Sequence, residues 1–392
     1  MTNSTTTLQH AITSAKESIG ADLGALARTV IDHQNRCSDY LVPAPALRME
    51  IDGRSEEHVG TPRLTIDLGE NESRSLALLS TGHAQLASRL GIPKRYYDRM
   101  VEEKPELLAE NVNSWLAADE ERRFLTRTIK PVDGSGIDGV RAVLSNSFRA
   151  IDHHDVLSAI LPSAIAAGAE VLSSGITERR LFVQLATPKI ETEIAKGDVV
   201  RLGVVLKNSE TGFGRLELVP MIYRLACLNG MIMSQAEGAI RKNHVGKRLG
   251  ELSEFAEQFY SDATRRVSDA AFFLQVQDTV AGMFSEKTIE TLVEPLRRAA
   301  GLEIPTNVRL VDLRDRVAKE IKLSETEADG FLANLARSDA GGLDLWKAAN
   351  AVTALAHETD SYDRAVELES LGNTIARISK STFERLVRPS AN

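Results

Sequence analysis

Cysteine is almost missing from this 392-residue chain, which carries only Cys37 and Cys227. Two isolated thiols exclude a disulfide framework, fall in no metal-ligand spacing, and point to a reducing compartment, the cytoplasm. Aromatic residues make up 5%, so any platform for stacking bases is small. No apolar run reaches the ~20 residues needed to span a bilayer. Met1–Thr7 is Ser/Thr-rich and lacks the basic and apolar stretches of an export signal. Basic charge is also in short supply, with 47 Lys and Arg against 55 Asp and Glu and a formal net charge of −8. That excludes a generally cationic coat for nucleic acid. It leaves room for a local groove, because single-strand binders confine their positive charge to one face. Neither a catalytic triad nor a phosphate loop can be picked out, and no cofactor is implied.

What is present is ordinary globular chemistry, 43% hydrophobic and 26% charged. A chain of this length forms two or three domains and buries enough surface to fold without cross-links. Leu8, Ile12, Ile19, Leu23, Leu26 and Val30 recur at helical spacing up to Cys37. Tyr40–Pro62, with its prolines and glycines, reads as a loop-rich connection, and Leu64–Leu68 and Leu76–Leu79 as short strands. Gln85–Leu90, Gly91 and Pro93 predict two helices around a tight turn. That pattern invites a DNA-reading interpretation. The plainer reading is a helical pair packing Leu86, Leu90, Ile92 and Tyr96.

From Arg122 the pattern turns to β. Phe124–Ile129 and Gly139–Leu144 flank a Gly/Asp-rich turn and predict a hairpin. A helix follows over Asp155–Ala167, then strands at Leu181–Ala186, Val199–Leu206 and Arg215–Val219. Beyond Asn229 the chain reads as helical, with a stripe from Leu252 through Phe255 and Phe259 to Leu274 and further helices up to Leu386. The expected fold is α+β: a central antiparallel sheet with a packed helix, between a mostly helical N-terminal region (1–120) and a helical C-terminal domain (236–392), the β-rich core spanning 121–235.

Residues 203–233, GVVLKNSETGFGRLELVPMIYRLACLNGMIM, stand out. They read as a strand, a turn from Asn208 to Gly214, a second strand and an Asn229–Gly230 corner. Gly212 and Gly214 permit positive φ and close backbone approach to a ligand. Asn208, Ser209 and Thr211 are placed to satisfy turn amides. A well-made hairpin with no further role is the equal alternative.

NSETGFGRLELVPMIYRLACLNGMI resembles the signature of the phage/plasmid-like protein family known as domain of unknown function 932. RAVLSNSFRAIDHHDVLSAI, RKNHVG and LDLWKAANAVTALAHETDSYDRAVELESLGN are similar to further segments of that family, in the same order. The resemblance spans about Gly139 to Asn373. It implies a phage or plasmid setting, in which DNA metabolism is a frequent occupation, and no established activity.

Basic residues gather in AIRKNHVGKRL, where Arg241, Lys242, Lys247 and Arg248 could track a phosphate backbone; a solvated helix end is the bland alternative. The β region adds Arg122, Arg123, Arg127, Arg141, Arg149, Arg179, Arg180, Lys207, Arg215 and Arg224, of which Arg127, Arg141 and Arg215 fall within predicted strands. Several of them sharing one face would form a positive platform, with Phe148 and Phe213 beside it to stack bases. His153–His154–Asp155 is poorly arranged for a metal, and Asp152 is placed to cap the following helix. Cys227 has no assured base, a buried thiol being its commoner fate. Trp346, Asn350 and Thr353 share a helical face, as a packing stripe would.

These features predict a DNA-metabolism protein that holds or anneals single-stranded DNA. Arg149, Lys207, Arg224, Arg241, Lys242, Lys247 and Arg248 are its candidate phosphate contacts, and Asn208, Ser209 and Gly212 supply turn geometry. The competing expectations are an enzyme acting on a small molecule or nucleotide, its site formed by the Asn208–Gly214 turn facing Cys227–Asn229, and an oligomeric structural or counter-defence protein pairing through its long helices.

Overall fold

The computed structural model describes residues 23–53, 60–69, 72–132, 136–226, 228–233, 239–242, 262–338 and 341–389, with side chains from 267 in the helix that begins at 262. Helix α1 (Leu23–Arg36) buries Leu26, Val30 and His33, one face at i, i+4, i+7 spacing. It runs directly into β1 (Cys37–Pro43). A single turn of tighter helix (Ala44–Ala46) then leads to β2 (Leu47–Asp52), followed by β3 (Thr61–Gly69) and β4 (Glu72–Leu78). With β5 (Arg123–Ile129) and β6 (Gly139–Ser145) these make one six-stranded sheet in the order β1-β5-β6-β4-β3-β2. β1 and β2 are thus the two edges, yet only three residues separate them in the chain. Six flat strands would span roughly 24 Å at the usual strand spacing, far beyond the ~10 Å those residues can bridge. The sheet therefore curls until its edges converge.

Helices α2 (Ser80–Arg89), α3 (Lys94–Glu103) and α4 (Pro105–Ala118) pack on this sheet. Leu86, Tyr97, Met100, Leu108, Val112 and Leu116 meet Met49, Leu64, Ile66, Leu76, Phe124 and Val140 in one core. Each such fully buried side chain contributes about 1.5–3 kcal/mol against exposure.

The second sheet holds β7 (Glu170–Ile176), β8 (Leu181–Glu193), β9 (Val199–Asn208), β10 (Leu216–Arg224) and β11 (Asn229–Ile232) in the order β11-β10-β9-β8-β7, with β12 (Ile240–Lys242) also paired to β10. Every pairing in it is antiparallel. One face, through Val183, Leu185, Val204, Leu206, Leu216 and Leu218, packs on α1, α5 (His153–Ala166) and α6 (Asp262–Met283). The other face, through Phe182, Val205, Val219 and Met221, is covered by Tyr362 and Val366 of α11 (Tyr362–Ala376). Around it α7 (Glu286–Ala300), α8 (Leu310–Ile321), α9 (Glu325–Arg337), α10 (Leu345–Ala354) and α12 (Lys380–Leu386) complete a helical layer.

The α+β class read from the sequence is the class observed, and the predicted β5–β6 hairpin pairs antiparallel over Phe124–Ile129. Four details differ. The chain beyond Asn229, expected to be helical, first forms β11 and β12, because its apolar Met231 and Ile232 pair onto β10 in the sheet. The expected loop over Tyr40–Pro62 contains β1 and β2, because Pro43 closes an edge strand and Pro45 falls in the tight helical turn, positions that tolerate a missing N–H. The expected boundary near residue 120 runs through the first sheet, which draws four strands from before it and two from after. Tyr97, not Tyr96, enters the core, since it stands three residues before Met100 on the buried face of α3 and its hydroxyl meets His83 Nδ1 at 3.0 Å. Among the described residues no helix is long and apolar enough to cross a membrane.

Candidate functional site

The turn from Asn208 to Arg215 lies where the two sheets meet. Its root is sealed: Asn208, Ser209, Glu210 and Thr211 are all buried. Ser209 Oγ accepts from the Phe213 amide at 3.0 Å and donates to the Arg179 carbonyl at 2.6 Å, the kind of local bond expected of a turn serine. Asn208 instead reaches out of the turn to the Ile151 carbonyl (2.7 Å) and His153 Nδ1 (2.9 Å). Gly212 has φ +77°, and a Cβ there would lie 3.0 Å from Leu144. Only the tip, Gly212–Arg215, reaches the surface.

Glu210 is the hub of a buried ionic network that the sequence did not reveal. Arg141 Nη1 donates to its Oε2, His33 Nε2 lies 3.3 Å from the same oxygen, and the His153 amide donates to Oε1 at 2.6 Å. Arg127 donates to the Glu210 carbonyl (3.0 Å), to Asp39 (2.8 Å) and to Asp152 (2.7 Å). A β-bulge makes this convergence possible. Arg127 pairs with Ala142 and Thr128 with Val140, so Arg141 is the extra residue of β6. The bulge re-aims a side chain that strict alternation would send to the opposite face. Burial opposes the Glu210 charge, but the side-chain bond to His33 and the Arg141 guanidinium outweigh it and hold the carboxyl well below the usual range. Burial pushes the His153 imidazole down to about 3, so it stays neutral. Asp152 does not cap α5 with its side chain as expected, because Arg127 claims it; Glu210 receives the first helical amide instead.

His33, His153 and Glu210 bring ligand atoms within 4.8 Å of one another. The donors nonetheless do not fit a metal. The Arg141 guanidinium sits on Glu210 and 3.3 Å from His33 Nε2, and Asn208 holds the His153 Nδ1 lone pair. Arg141 already supplies the positive charge that an ion would bring. The network is a clamp fixing the turn between α1, α5 and both sheets.

The predicted phosphate contacts separate into groups. Arg127 and Arg141, proposed for a platform, are buried in this network, and Phe148 is buried too. Arg224 lies at the far end of β10, where it and Trp346 Nε1 both donate to Asp198 at 2.6 and 2.8 Å. Arg149 pairs with Asp269 of α6 at 2.5 Å. Lys242 lies on the opposite face, its Nζ 3.4 Å from the centre of the Phe272 ring. Lys247, Arg248 and Cys227 lie outside the described residues, as do Phe255 and Phe259.

Lys207 and Arg241, by contrast, come together. Gly175, Phe182, Lys207, Glu217 and Arg241 form one row across five strands, all on the face that α11 partly covers. Lys207 lies 3.7 Å from Glu217, and Arg215 bonds the same carboxylate at 2.8 Å. Three cations thus surround one acid. Burial lowers the Lys207 pKa, making it the least available of the three, while Arg215 and Arg241 are exposed. At the same end the Arg179 guanidinium stands over the Phe213 ring at 5.1 Å, and Arg180 donates to the Phe213 carbonyl at 2.7 Å. Phe213 was legible as a stacking candidate and Arg179 and Arg180 as basic residues of the β region; the contact that the β7–β8 loop makes between them was not.

The turn does not face Asn229. β10 separates them, with Leu216 at the turn end and Arg224 paired to Asn229 at the other, a span of roughly 27 Å at 3.4 Å per residue. The small-molecule site built from those two segments is therefore not assembled. Asn229 instead bonds the Thr353 side chain, and Asn350 bonds the Trp346 carbonyl at 2.8 Å, as a packing stripe would. On the face under α11, Glu369 is buried against Gln184, and burial raises its carboxyl to about 8.

The family described as Domain of unknown function (DUF932) matches residues 141–377. That range takes in the second sheet, the Glu210 turn, the cationic corner and most of the C-terminal helices. No curated protein and no solved structure matches the chain.

Proposed function

Because the chain belongs to the DUF932 family, whose name assigns no chemistry, we propose from the corner's own geometry that it binds single-stranded DNA along the edge formed by Arg179, Arg180, Phe213, Arg215 and Arg241. The setting would be cytoplasmic DNA metabolism of the phage or plasmid type. One observation carries the reading: an aromatic ring and an arginine stacked at an exposed loop tip, beside a strand row with three cations around one carboxylate. Aromatic faces stack any base and arginines neutralise phosphates, so the combination suits a strand without sequence preference. The rigid clamp beneath the turn supports it, since contacts held by locked side chains lose less entropy on binding. β12 ends with Lys242 opposite Leu216, at this same end.

The test is fluorescence anisotropy with an oligo-dT strand and its duplex. The wild type should prefer the single strand, and Phe213→Ala should lose about 1–3 kcal/mol of binding. Equal affinity of wild type and Phe213→Ala, or a preference for duplex, would remove this reading.

The third expectation, pairing through long helices, has one observation in its favour: Leu274 of α6 is 61% exposed. If α6 forms an interface, Leu274→Glu lowers the mass measured by light scattering; an unchanged mass removes that reading.

A further inference from the structure

Cations at the corner already face acids of their own chain. Glu217 stands at its centre, in the strand row between Lys207 and Arg241. Arg215 Nε donates to Glu217 Oε1 at 2.8 Å, and Lys207 Nζ lies 3.7 Å from Oε2, so each carboxylate oxygen answers a different cation. Burial opposes the Glu217 charge, but the bond to Arg215 and the charges of Lys207, Arg215 and Arg241 outweigh it and keep the carboxyl ionised. A second acid, Asp363 in the first turn of α11, lies 3.8 Å from Arg180 Nη1. The start of α11 is fixed at this place: Ser361 accepts from the Arg364 amide, and the Tyr362 hydroxyl bonds Ser173 of β7 at 2.7 Å. Both acids remain within reach of a ligand, with 23% of the Glu217 side chain and 43% of the Asp363 side chain exposed. Ion pairs so exposed add little to the stability of a fold. What they do change is the field that an incoming phosphate meets.

We infer, building on the single-strand reading of this corner, that Glu217 and Asp363 are resident competitors of the phosphate backbone, occupying Arg215 and Arg180 until a strand displaces them and hastening its release. A phosphate reaching Arg215 must replace the Glu217 oxygen on Nε and is repelled by the carboxylate as it does so; Asp363 acts in the same way at Arg180. The consequence is modest affinity and quick exchange, which suits a protein that passes a strand on to its complement. The opposing role for Glu217 is a scaffold that orients Lys207 and Arg215 for the strand. The two roles give opposite signs when the charge is removed: a competitor's loss tightens binding, and a scaffold's loss weakens it.

Glu217→Gln and Asp363→Asn keep the shape of each side chain and an acceptor oxygen while removing the charge. Both are compared with the wild type and Phe213→Ala by oligo-dT anisotropy and stopped-flow dissociation, in low and high salt, with thermal unfolding to confirm that each variant folds. Each charge removal should tighten binding on the order of fivefold, chiefly through slower dissociation. The gain should shrink in high salt, because the repulsion it relieves is screened. Unchanged or weaker binding by Glu217→Gln and Asp363→Asn, with Phe213→Ala still impaired, overturns the competitor role and leaves the strand reading standing. Absence of binding by the wild type and both charge variants, or binding that Phe213→Ala leaves intact, removes the strand reading and the competitor role with it.

Discussion

Replacing Glu369 with glutamine should make the protein more stable, by an amount that grows with pH. Glu369 reaches from α11 onto the second sheet, where it is buried and accepts from Gln184. Burial raises its carboxyl from 4.5 to about 8. Between those values the folded chain holds a proton that the unfolded chain releases, so raising the pH favours unfolding. Stability from the neutral acid is complete below pH 4.5, declines by about 1.4 kcal/mol per pH unit, and levels off above pH 8. The accumulated loss is roughly 3 kcal/mol at pH 7 and 4–5 kcal/mol above pH 8. The substituted amide keeps an oxygen for Gln184 and never ionises, so the variant lacks this slope. Urea unfolding followed through buried Trp346, in a Trp115→Phe background, gives the difference between the two proteins at each pH. It should be near zero at pH 4.5 and widen steadily to pH 8. A difference that does not change with pH would show that Glu369 is ionised in the fold, refuting the argument from burial.

Glu210→Gln removes the charge that answers buried Arg141 and should cost about 3–5 kcal/mol in denaturant unfolding; a loss under about 1 kcal/mol would mean that the clamp is not ionic. Asp198→Ala strands the donors of both Arg224 and Trp346 and should cost about 2–4 kcal/mol, with a red shift of Trp346 emission as the direct sign. Gly212→Ala places a Cβ at φ +77° and 3.0 Å from Leu144, so a loss of about 1–2 kcal/mol is expected in thermal unfolding; an unchanged midpoint would show that the turn tip can relax.

Local pattern made part of this fold legible. The β5–β6 hairpin, the strands β8 to β10 and the packing stripe at Trp346 all announce themselves through period or turn chemistry in neighbouring residues. The clamp could not be read in the same way. Glu210 finds its partners 57, 69 and 177 residues away, and nothing near it in the chain names them. The bulge that turns Arg141 toward Glu210 leaves no mark in a segment that reads as ordinary alternation. For the same reason Arg127 and Arg141 looked like surface cations, although they sit in strands buried on both sides. The corner was half visible: Lys207, Phe213 and Arg215 belong to the 203–233 block and Arg241 to the basic stretch behind it, while Arg179 arrives from the β7–β8 loop and needed the pairing of β8 with β9 to place it. The proline-marked segment at 43–62 misled for a different reason, since its prolines occupy a strand end and a turn where they break nothing.

The most direct measurement is the salt dependence of oligo-dT binding by the wild type and by Arg215→Gln with Arg241→Gln. Each phosphate contact on a single strand contributes about −0.7 to the slope of log K against log salt. If the corner holds the strand, the double variant binds more weakly on every sequence and its slope is shallower by about 1.4. An unchanged slope and affinity would place the strand elsewhere and leave the corner a set of surface ion pairs.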